Sequence, residues 1–145
     1  MRRPEEVFVL VRRGEEWLVL HRSPGKGAYW HCVAGALEAG EGWEQAAARE
    51  LAEETALVAE PLDLGHEYAY PLEADPTYRD VLPPGTEEIL VRAFLAEAPA
   101  GWEPALDAEH DGYRWCGPEE AAALFRWPEP AALLRSLAQV GRLSA

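Results

Sequence analysis

Three glutamates, Glu50, Glu53 and Glu54, lie close together in an alanine-rich segment of high helix propensity. At about 100° per residue, their side chains fall on one face of a helix. Like charges at spacings i, i+3 and i, i+4 repel one another, so this face needs a counter-ion. Mg²⁺ prefers oxygen ligands and commonly combines one or two carboxylates with waters and substrate phosphate oxygens. The three glutamates therefore predict a site that binds a divalent cation and, through it, a phosphorylated compound.

The loop before these glutamates is acidic and rich in glycine, and its spacing extends the pattern. Read as G-x5-E-x7-R-E-U-x-E-E-x-G-U, with U aliphatic, loop and helix together resemble the Nudix box. The matching positions are Gly35, Glu41, Arg49, Glu50, Leu51, Glu53, Glu54 and Leu57. Ala56 departs from the pattern, because the family usually has glycine there, and we expect it to shift the helix C-cap without removing a chemical group. An ordinary solvated acidic helix would explain the glutamates but not the register of Glu41 and Arg49.

The resemblance to the Nudix family implies a role for each matching polar residue. Glu50, Glu53 and Glu54 would hold Mg²⁺ or Mn²⁺, with the backbone carbonyl of Gly35 as a further ligand. Arg49 would pair with Glu41 and fix the loop on the helix, while Glu38 would help to bind an outer metal. The predicted catalytic residues are Glu50, Glu53, Arg49 and Glu109.

Glu109 is the candidate for the additional acid that commonly completes such a site. It lies in a loop before a predicted strand, where it can fold back over the metals; the alternative is a solvated loop acid. Glu53 and Glu109 both stay open as the general base, since a carboxylate next to the attacking water can accept its proton. His110 is a weaker candidate for the base, and among its acidic neighbours we expect it to be protonated and to contact substrate phosphate.

Basic residues in or next to the loop over 23–27 are candidates for contacting a phosphate. Arg22 and Lys26 can reach the substrate from this loop, although exposed loop charges often have no specific role.

The chain has 145 residues, 48% of them apolar, which predicts one compact domain over residues 1–145. The net charge of −13 argues against nucleic acid and against an anionic membrane surface as partners, because both are negative. A small phosphorylated substrate meets the same repulsion unless metal ions neutralise it.

The two cysteines, Cys32 and Cys116, are far apart and show no metal-binding or redox spacing, so we expect buried reduced thiols. The apolar run at the N-terminus is too short for a signal peptide or a membrane span, which predicts a cytoplasmic protein. The sequence is compatible with a homodimer.

Alternation of apolar residues and turn signals predicts strands and helices in a mixed order. We expect strands over 6–12, 17–22, 29–34, 62–72, 87–97 and 113–116, helices over 43–55, 118–125 and 130–140, and a long loop over 73–86. This pattern predicts an α+β domain with a mixed sheet covered on both sides by helices. The resemblance sharpens it to a Nudix-type α/β/α sandwich.

Outside the box, the chain is similar to the dihydroneopterin triphosphate diphosphatase branch of the family. The shared features are an aromatic pair before the box, a Pro-Gly-Thr turn before a strand, Glu109-His110, and a Tyr-x-Trp strand leading to an alanine-rich helix. Aromatic side chains that could form a flat wall for a pterin or purine ring are Tyr29, Trp30, Tyr68, Tyr70 and Tyr78. The alternative for each of them is a place in the core.

These observations predict a Mg²⁺-dependent pyrophosphohydrolase that acts on a nucleoside or pterin triphosphate and releases pyrophosphate. The alternative substrates are ADP-ribose or a diadenosine polyphosphate. A non-catalytic Nudix-fold nucleotide sensor is the alternative from another functional class, although such modules often lose box carboxylates and this chain keeps all of them.

Overall fold

The computed structural model describes residues 2–74 and 76–144. At residues 74, 76–78 and 141–144 it describes the backbone only. The strands are β1 (Glu5–Arg13), β2 (Glu16–Arg22), β3 (Trp30–His31), β4 (Val33–Ala36), β5 (Leu62–Pro71), β6 (Glu88–Glu97) and β7 (His110–Cys116). The helices are α1 (Trp43–Thr55), α2 (Pro118–Leu124) and α3 (Pro128–Ser144). Short 3₁₀ turns span Pro24–Lys26, Leu72–Ala74 and Pro76–Val81.

The strands form one mixed sheet in the order β3-β2-β1-β6-β5, with β4 paired to β1 and β7 paired to β2. β1 and β6 run parallel, while β1–β4, β2–β7 and β5–β6 are antiparallel. β4 lies antiparallel to the first half of β1, and α1 follows β4 directly. The sheet therefore places the loop and helix of the box next to its central strand.

Residues of β1 alternate between two cores, one on each face of the sheet. Val7, Val9 and Val11 belong to the core that includes Leu51 of α1. Phe8 and Leu10 belong to the opposite core, which includes side chains of α2 and α3. A strand buried on both faces has a continuous apolar sequence, as β1 does. The expected α/β/α sandwich with a mixed sheet is confirmed.

Several element boundaries differ from those expected from sequence. The strand expected over 29–34 is divided at Cys32 into β3 and β4, because the first pairs with β2 and the second with β1. The segment expected as a loop over 73–86 contains two of the 3₁₀ turns. β7 begins at His110 and α3 at Pro128, both earlier than expected. Pairing with β2 extends β7 back to His110, beyond what local composition indicates.

The two ends of α1 have distinct caps. At the N-terminus, the Gly42 backbone N–H donates to Gln45 Oε1 at 2.8 Å. At the C-terminus, Ala56 adopts a left-handed backbone with φ of 70°, and its N–H donates to the carbonyl of Ala52 at 2.9 Å. The alanine therefore takes the conformation that glycine usually provides, and does not displace the cap.

The thiols of Cys32 and Cys116 are both free and buried, as expected. Burial raises the pKa of the Cys116 thiol to about 11. None of the helices within residues 2–74 and 76–144 combines the length and apolar content needed to cross a membrane.

Candidate functional site

Arg49 of α1 fastens the acidic loop to the helix. Its Nε donates to Glu41 Oε2 at 2.7 Å and its Nη2 to Glu41 Oε1 at 2.9 Å, which is a bidentate pair. Nη2 also donates to the backbone carbonyl of Ala36 at 2.9 Å. The adjacent guanidinium lowers the pKa of the Glu41 carboxyl. The structure thus brings Arg49 and Glu41 together as the resemblance implied.

The three box glutamates share one face of α1 but differ widely in exposure. The side chain of Glu53 is 53% exposed, that of Glu50 is 12% exposed, and that of Glu54 is 3% exposed. A helix face with three glutamates is expected to be exposed, but Glu54 is buried and only Glu53 is open to solvent. The Glu54 carboxylate lies against β4, where the backbone N–H of Ala34 donates to its Oε1 at 3.5 Å.

Gly35 of β4 makes room for the Glu50 carboxylate. A Cβ atom built on Gly35 would overlap the carboxyl carbon and both oxygens of Glu50. Only glycine therefore allows this carboxylate to lie directly against the strand backbone. The glycine at this position of the motif therefore has a steric reason in this structure.

Glu50 and Glu54 form a closely coupled acidic pair. Burial, followed by the hydrogen bond with Glu50, raises the pKa of the Glu54 carboxyl well above its usual range, and burial raises that of Glu50. Two buried carboxyls in contact share a proton when no cation neutralises them. A divalent cation can replace that proton, so the oxygen donors of this pair fit Mg²⁺.

Arg49 supplies the positive charge at this face. Its Nη1 donates to Glu50 Oε1 at 2.8 Å and to Glu53 Oε2 at 3.2 Å. Among the described residues, no three Asp, Glu, His or Cys side chains already converge on one point as a metal cluster. Mg²⁺ does not need such a cluster, because one or two carboxylates, waters and phosphate oxygens complete its coordination.

A cleft of about 1250 Å³ lies over Glu50 and Glu53 and is lined by most of the predicted site residues, while the buried Glu54 is not part of its lining. The predicted residues that line it are Arg22, Lys26, Tyr29, Gly35, Glu38, Arg49, Glu50, Glu53 and Glu109. Lys26 Nζ lies 3.6 Å from Glu109 Oε1, and both side chains are about half exposed, at 50% and 46%. The structure therefore gathers acidic and basic side chains from three separate segments around one space.

His110 does not lie where a substrate phosphate could meet it. Its side chain is 1% exposed, its Nδ1 is 2.7 Å from Asp107 Oδ1, and its Nε2 is 3.6 Å from Glu54 Oε1. The expected phosphate contact by His110 is therefore replaced by a buried position behind Glu54. The cause is that β7 begins at His110, so this residue belongs to the sheet and not to the preceding loop.

A second cavity, of about 360 Å³, opens next to the cleft, and we call it the ring cavity. Of the expected aromatic wall, Tyr29, Tyr68 and Tyr70 line it. Trp30 does not belong to the lining: its ring packs against the ring of His21 with centroids 4.7 Å apart. Trp30 therefore takes the alternative place, partly buried against the core, and does not belong to the wall. Tyr78 lies outside the described side chains.

Sequence reasoning missed several residues of the two cavities. Arg126 and Trp127, from the short connection between α2 and α3, line the cleft. Glu6, Phe8 and His31 line the ring cavity. The one sequence signal was that Arg126-Trp127-Pro128 interrupts two helical patterns; nothing local indicated that β1 contributes to a binding cavity.

Comparisons with known proteins agree with this geometry. A family model described as NUDIX domain matches residues 2–137. The E. coli dihydroneopterin triphosphate pyrophosphohydrolase has a similar structure, with a TM-score of 0.82 and 23% identity, over 94% of this chain and 96% of that chain. A C. elegans Ap4A hydrolase has a TM-score of 0.71 and 23% identity, over 97% of each chain.

A curated relative matches in sequence over part of its length. An octanoyltransferase of Myxococcus xanthus is 38% identical over 115 residues, which are 78% of this chain and 30% of that protein. The chain therefore spans less than a third of this relative.

Proposed function

Because the chain belongs to the Nudix family, we propose that it is a Mg²⁺-dependent pyrophosphohydrolase that cleaves a nucleoside or pterin triphosphate and releases pyrophosphate. The supporting observation is the position of the Glu50 carboxylate against Gly35, beside Glu54 and beneath an open cleft. This arrangement brings hard oxygen donors to the edge of a space large enough for a triphosphate.

In this proposal, Glu50, Glu53 and Glu54 hold the metal ions, with the Gly35 carbonyl as a further ligand. Mg²⁺ would supply charge neutralisation on the phosphoryl oxygens and make the attacking water more nucleophilic. Among these three carboxylates, Glu54 is the buried one and lies against β4, while Glu53 faces solvent. Arg49 contacts both Glu50 and Glu53, so bound metal ions would compete with its guanidinium for these two carboxylates, while its bidentate pair with Glu41 would stay available to hold the loop.

Basic side chains that line the same cleft position the phosphates. Arg22 and Lys26 approach from the β2–β3 connection, and Arg126 from the connection between α2 and α3. The Arg22 Nε donates to the Lys26 carbonyl at 3.0 Å, which holds the two residues in one local structure. The overall charge of −13 makes such local positive groups necessary for an anionic substrate.

The general base is Glu53 or Glu109, because these two carboxylates are accessible to a water in the cleft. Their side chains are 53% and 46% exposed, whereas Glu50 is 12% exposed and is held by Arg49. A carboxylate near the attacking water can accept its proton during phosphoryl transfer. Separate Glu53→Gln and Glu109→Gln variants distinguish them, since loss of the base lowers kcat at every metal concentration.

The test is hydrolysis of a substrate panel with Mg²⁺ and with EDTA. The panel contains dihydroneopterin triphosphate, GTP, ATP, ADP-ribose and diadenosine tetraphosphate, and products are separated as pyrophosphate or phosphate. We expect Mg²⁺-dependent release of pyrophosphate from a triphosphate. Turnover of only the dinucleotides would support the alternative substrates, and binding without any turnover would support a sensor.

A matched pair of variants on α1 shows whether the box carboxylates cause the activity. Glu53→Gln removes a candidate ligand, while Glu44→Gln makes the same chemical change on an exposed residue of the first turn, outside the cleft. Loss of turnover in the first and normal turnover in the second would support the proposal. Equal rates in both would contradict it.

The proposal also includes a cytoplasmic location and a small phosphorylated molecule as the main partner. Two free, buried thiols are typical of proteins from a reducing compartment. Light scattering of the purified protein distinguishes a monomer from a homodimer, and fractionation of cells that express the chain tests the location.

A further inference from the structure

The ring cavity is continuous with the catalytic cleft. Six residues line both spaces: Arg2, Arg22, Tyr29, Ala34, Gly35 and Trp127. A ligand whose phosphates lie over Glu50 can therefore extend its other end into the ring cavity. At about 360 Å³, the ring cavity is near the lower limit for small-molecule sites, so it suits one ring system and not two.

Aromatic side chains form much of the wall of the ring cavity. Phe8 and Tyr68, on β1 and β5, have ring centroids 6.5 Å apart. Tyr29 and Trp127 meet edge to face, also at 6.5 Å. These pairs belong to separate parts of the chain, since Phe8 and Tyr68 are in the sheet and the other two are in connections. Such walls favour a planar heteroaromatic ring over a sugar or an aliphatic chain.

A carboxylate lies among these aromatic residues. Glu6 of β1 lines the ring cavity, and its side chain is 16% exposed. Its Oε1 accepts a hydrogen bond from the Tyr70 hydroxyl at 2.7 Å, and its Oε2 accepts one from Arg2 at 2.6 Å. Each carboxylate oxygen has two lone pairs, so both can accept a second hydrogen bond from a ligand. The pair of oxygens matches two adjacent N–H donors.

His31 supplies a second polar group that lacks a partner. It lines the ring cavity, it is 7% exposed, and its Nδ1 has no hydrogen-bond partner among the described residues. Its Nε2 lies 3.8 Å from the Cys32 thiol. Burial and the nearby charge of Arg22 lower the pKa of His31 to about 3, so the imidazole is neutral. A buried polar atom without a partner is costly, and a ligand that bonds to it removes that cost.

We propose that the ring cavity binds the amino-oxo-pyrimidine ring shared by guanine and pterins, and that Glu6 and His31 select it. Glu6 accepts from the ring N–H and the neighbouring amino group, and His31 Nδ1–H donates to the ring oxo group. This inference rests on the proposed function only for the position of the phosphates. Adenine fits poorly, because it has a lone pair where guanine has the ring N–H, and that lone pair would face the Glu6 carboxylate.

The first test uses the unchanged protein and nucleosides without phosphate. Binding of guanosine, neopterin, inosine and adenosine is measured by calorimetry in EDTA. We expect guanosine and neopterin to bind. Inosine lacks the amino group, and we expect it to bind about tenfold more weakly than guanosine, because one charge-assisted hydrogen bond is lost. We expect adenosine to bind still more weakly.

The second test uses variants of the two selecting residues with a matched control. Glu6→Gln should weaken guanosine binding by about tenfold and reduce the preference for guanosine over inosine. His31→Phe should weaken guanosine and inosine equally, since both have the oxo group. Glu5→Gln is the control, because Glu5 is the neighbour on the same strand, pairs with Arg3, and lies outside the ring cavity.

Equal binding of guanosine and adenosine would overturn the inference, and so would unchanged guanosine binding in a folded Glu6→Gln variant. If that variant does not fold, the comparison of guanosine with inosine on the unchanged protein decides alone. These measurements contain neither metal nor phosphate, so they can succeed when hydrolysis fails. Conversely, rapid hydrolysis of all triphosphates without preference would contradict ring selection and leave the proposed reaction standing.

Discussion

The box carboxylates and the ring cavity are neighbours built in opposite ways. The residues around Glu50 come from one continuous segment, Gly35 to Glu54, held together by Arg49 and its bidentate pair with Glu41. The ring cavity combines β1, β5, β3 and the connection before α3. The box carboxylates thus come from one local segment, whereas the residues of the ring cavity are dispersed along the chain. A substitution in the box should therefore change catalysis, while one in the ring cavity should change substrate preference.

The largest expected effect comes from Glu54→Gln, which tests whether the buried end of the box is catalytic. We expect kcat/KM to fall by at least about 10²-fold, because loss of residues that only support metal ligands already costs 10–100-fold. The unfolding free energy should stay the same or rise, since a buried acidic group is removed. Hydrolysis assays, thermal unfolding and Mn²⁺ titration give the three readouts. A near-normal rate would remove Glu54 from the site.

Gly35→Ala should have the next largest effect. It separates the effect of the position of the Glu50 carboxylate from the effect of its charge. The new Cβ would displace the Glu50 carboxylate without removing it. We expect an activity loss of about 10²-fold, as for a reacting group misplaced by about 1 Å, with little change in Tm because the displaced atoms end a flexible side chain. Gly112→Ala is the control, because its Cβ would make only an ordinary contact with His21. Similar activities in the two variants would mean that the close approach of Glu50 to β4 is irrelevant.

A third prediction concerns the stability of the ring cavity at low pH. His31 has a pKa of about 3 in the folded protein, against 6.5 in the unfolded chain, so the unfolded chain binds a proton that the folded protein does not. His31 therefore lowers stability as the pH falls from 6.5 toward 3, with a slope of up to about 1.4 kcal/mol per pH unit. Urea unfolding of the unchanged protein and of His31→Gln should show this difference in slope. Glu50 and Glu54 contribute equally to the pH dependence of stability in both proteins. Parallel plots of unfolding free energy against pH would therefore show that His31 is not buried in its neutral form.

The smallest effect is expected at the end of α1. Ala56 has a φ of 70°, which is strained for alanine and free for glycine. Ala56→Gly should therefore raise the unfolding free energy by about 1 kcal/mol and leave kcat/KM unchanged. The exposed helix-interior residue Ala52 is the opposite control, since Ala52→Gly should lower stability by about the same amount. Destabilisation by both changes would mean that the helix end carries no strain.

Sequence alone determined the box, because its residues interact over short separations along the chain. Helix periodicity places Glu50, Glu53 and Glu54 on one face, and the fixed spacing to Arg49 and Glu41 indicates how the loop is held. The apolar run in β1, the alternation in β5 and the order of strands and helices likewise predict a mixed sheet covered by helices on both sides. For these features, a few neighbouring residues decide the geometry.

Only the tertiary structure decided which face of each residue is buried and which distant residues meet. Strand pairing put His110 behind Glu54, turned Trp30 toward His21, and brought Glu6 and His31 into one cavity with Trp127. Spacing along the chain contains no signal for these encounters, because they depend on strand order and register. Local sequence specifies the box carboxylates and their partner Arg49, whereas long-range packing sets their burial and assembles the ring cavity.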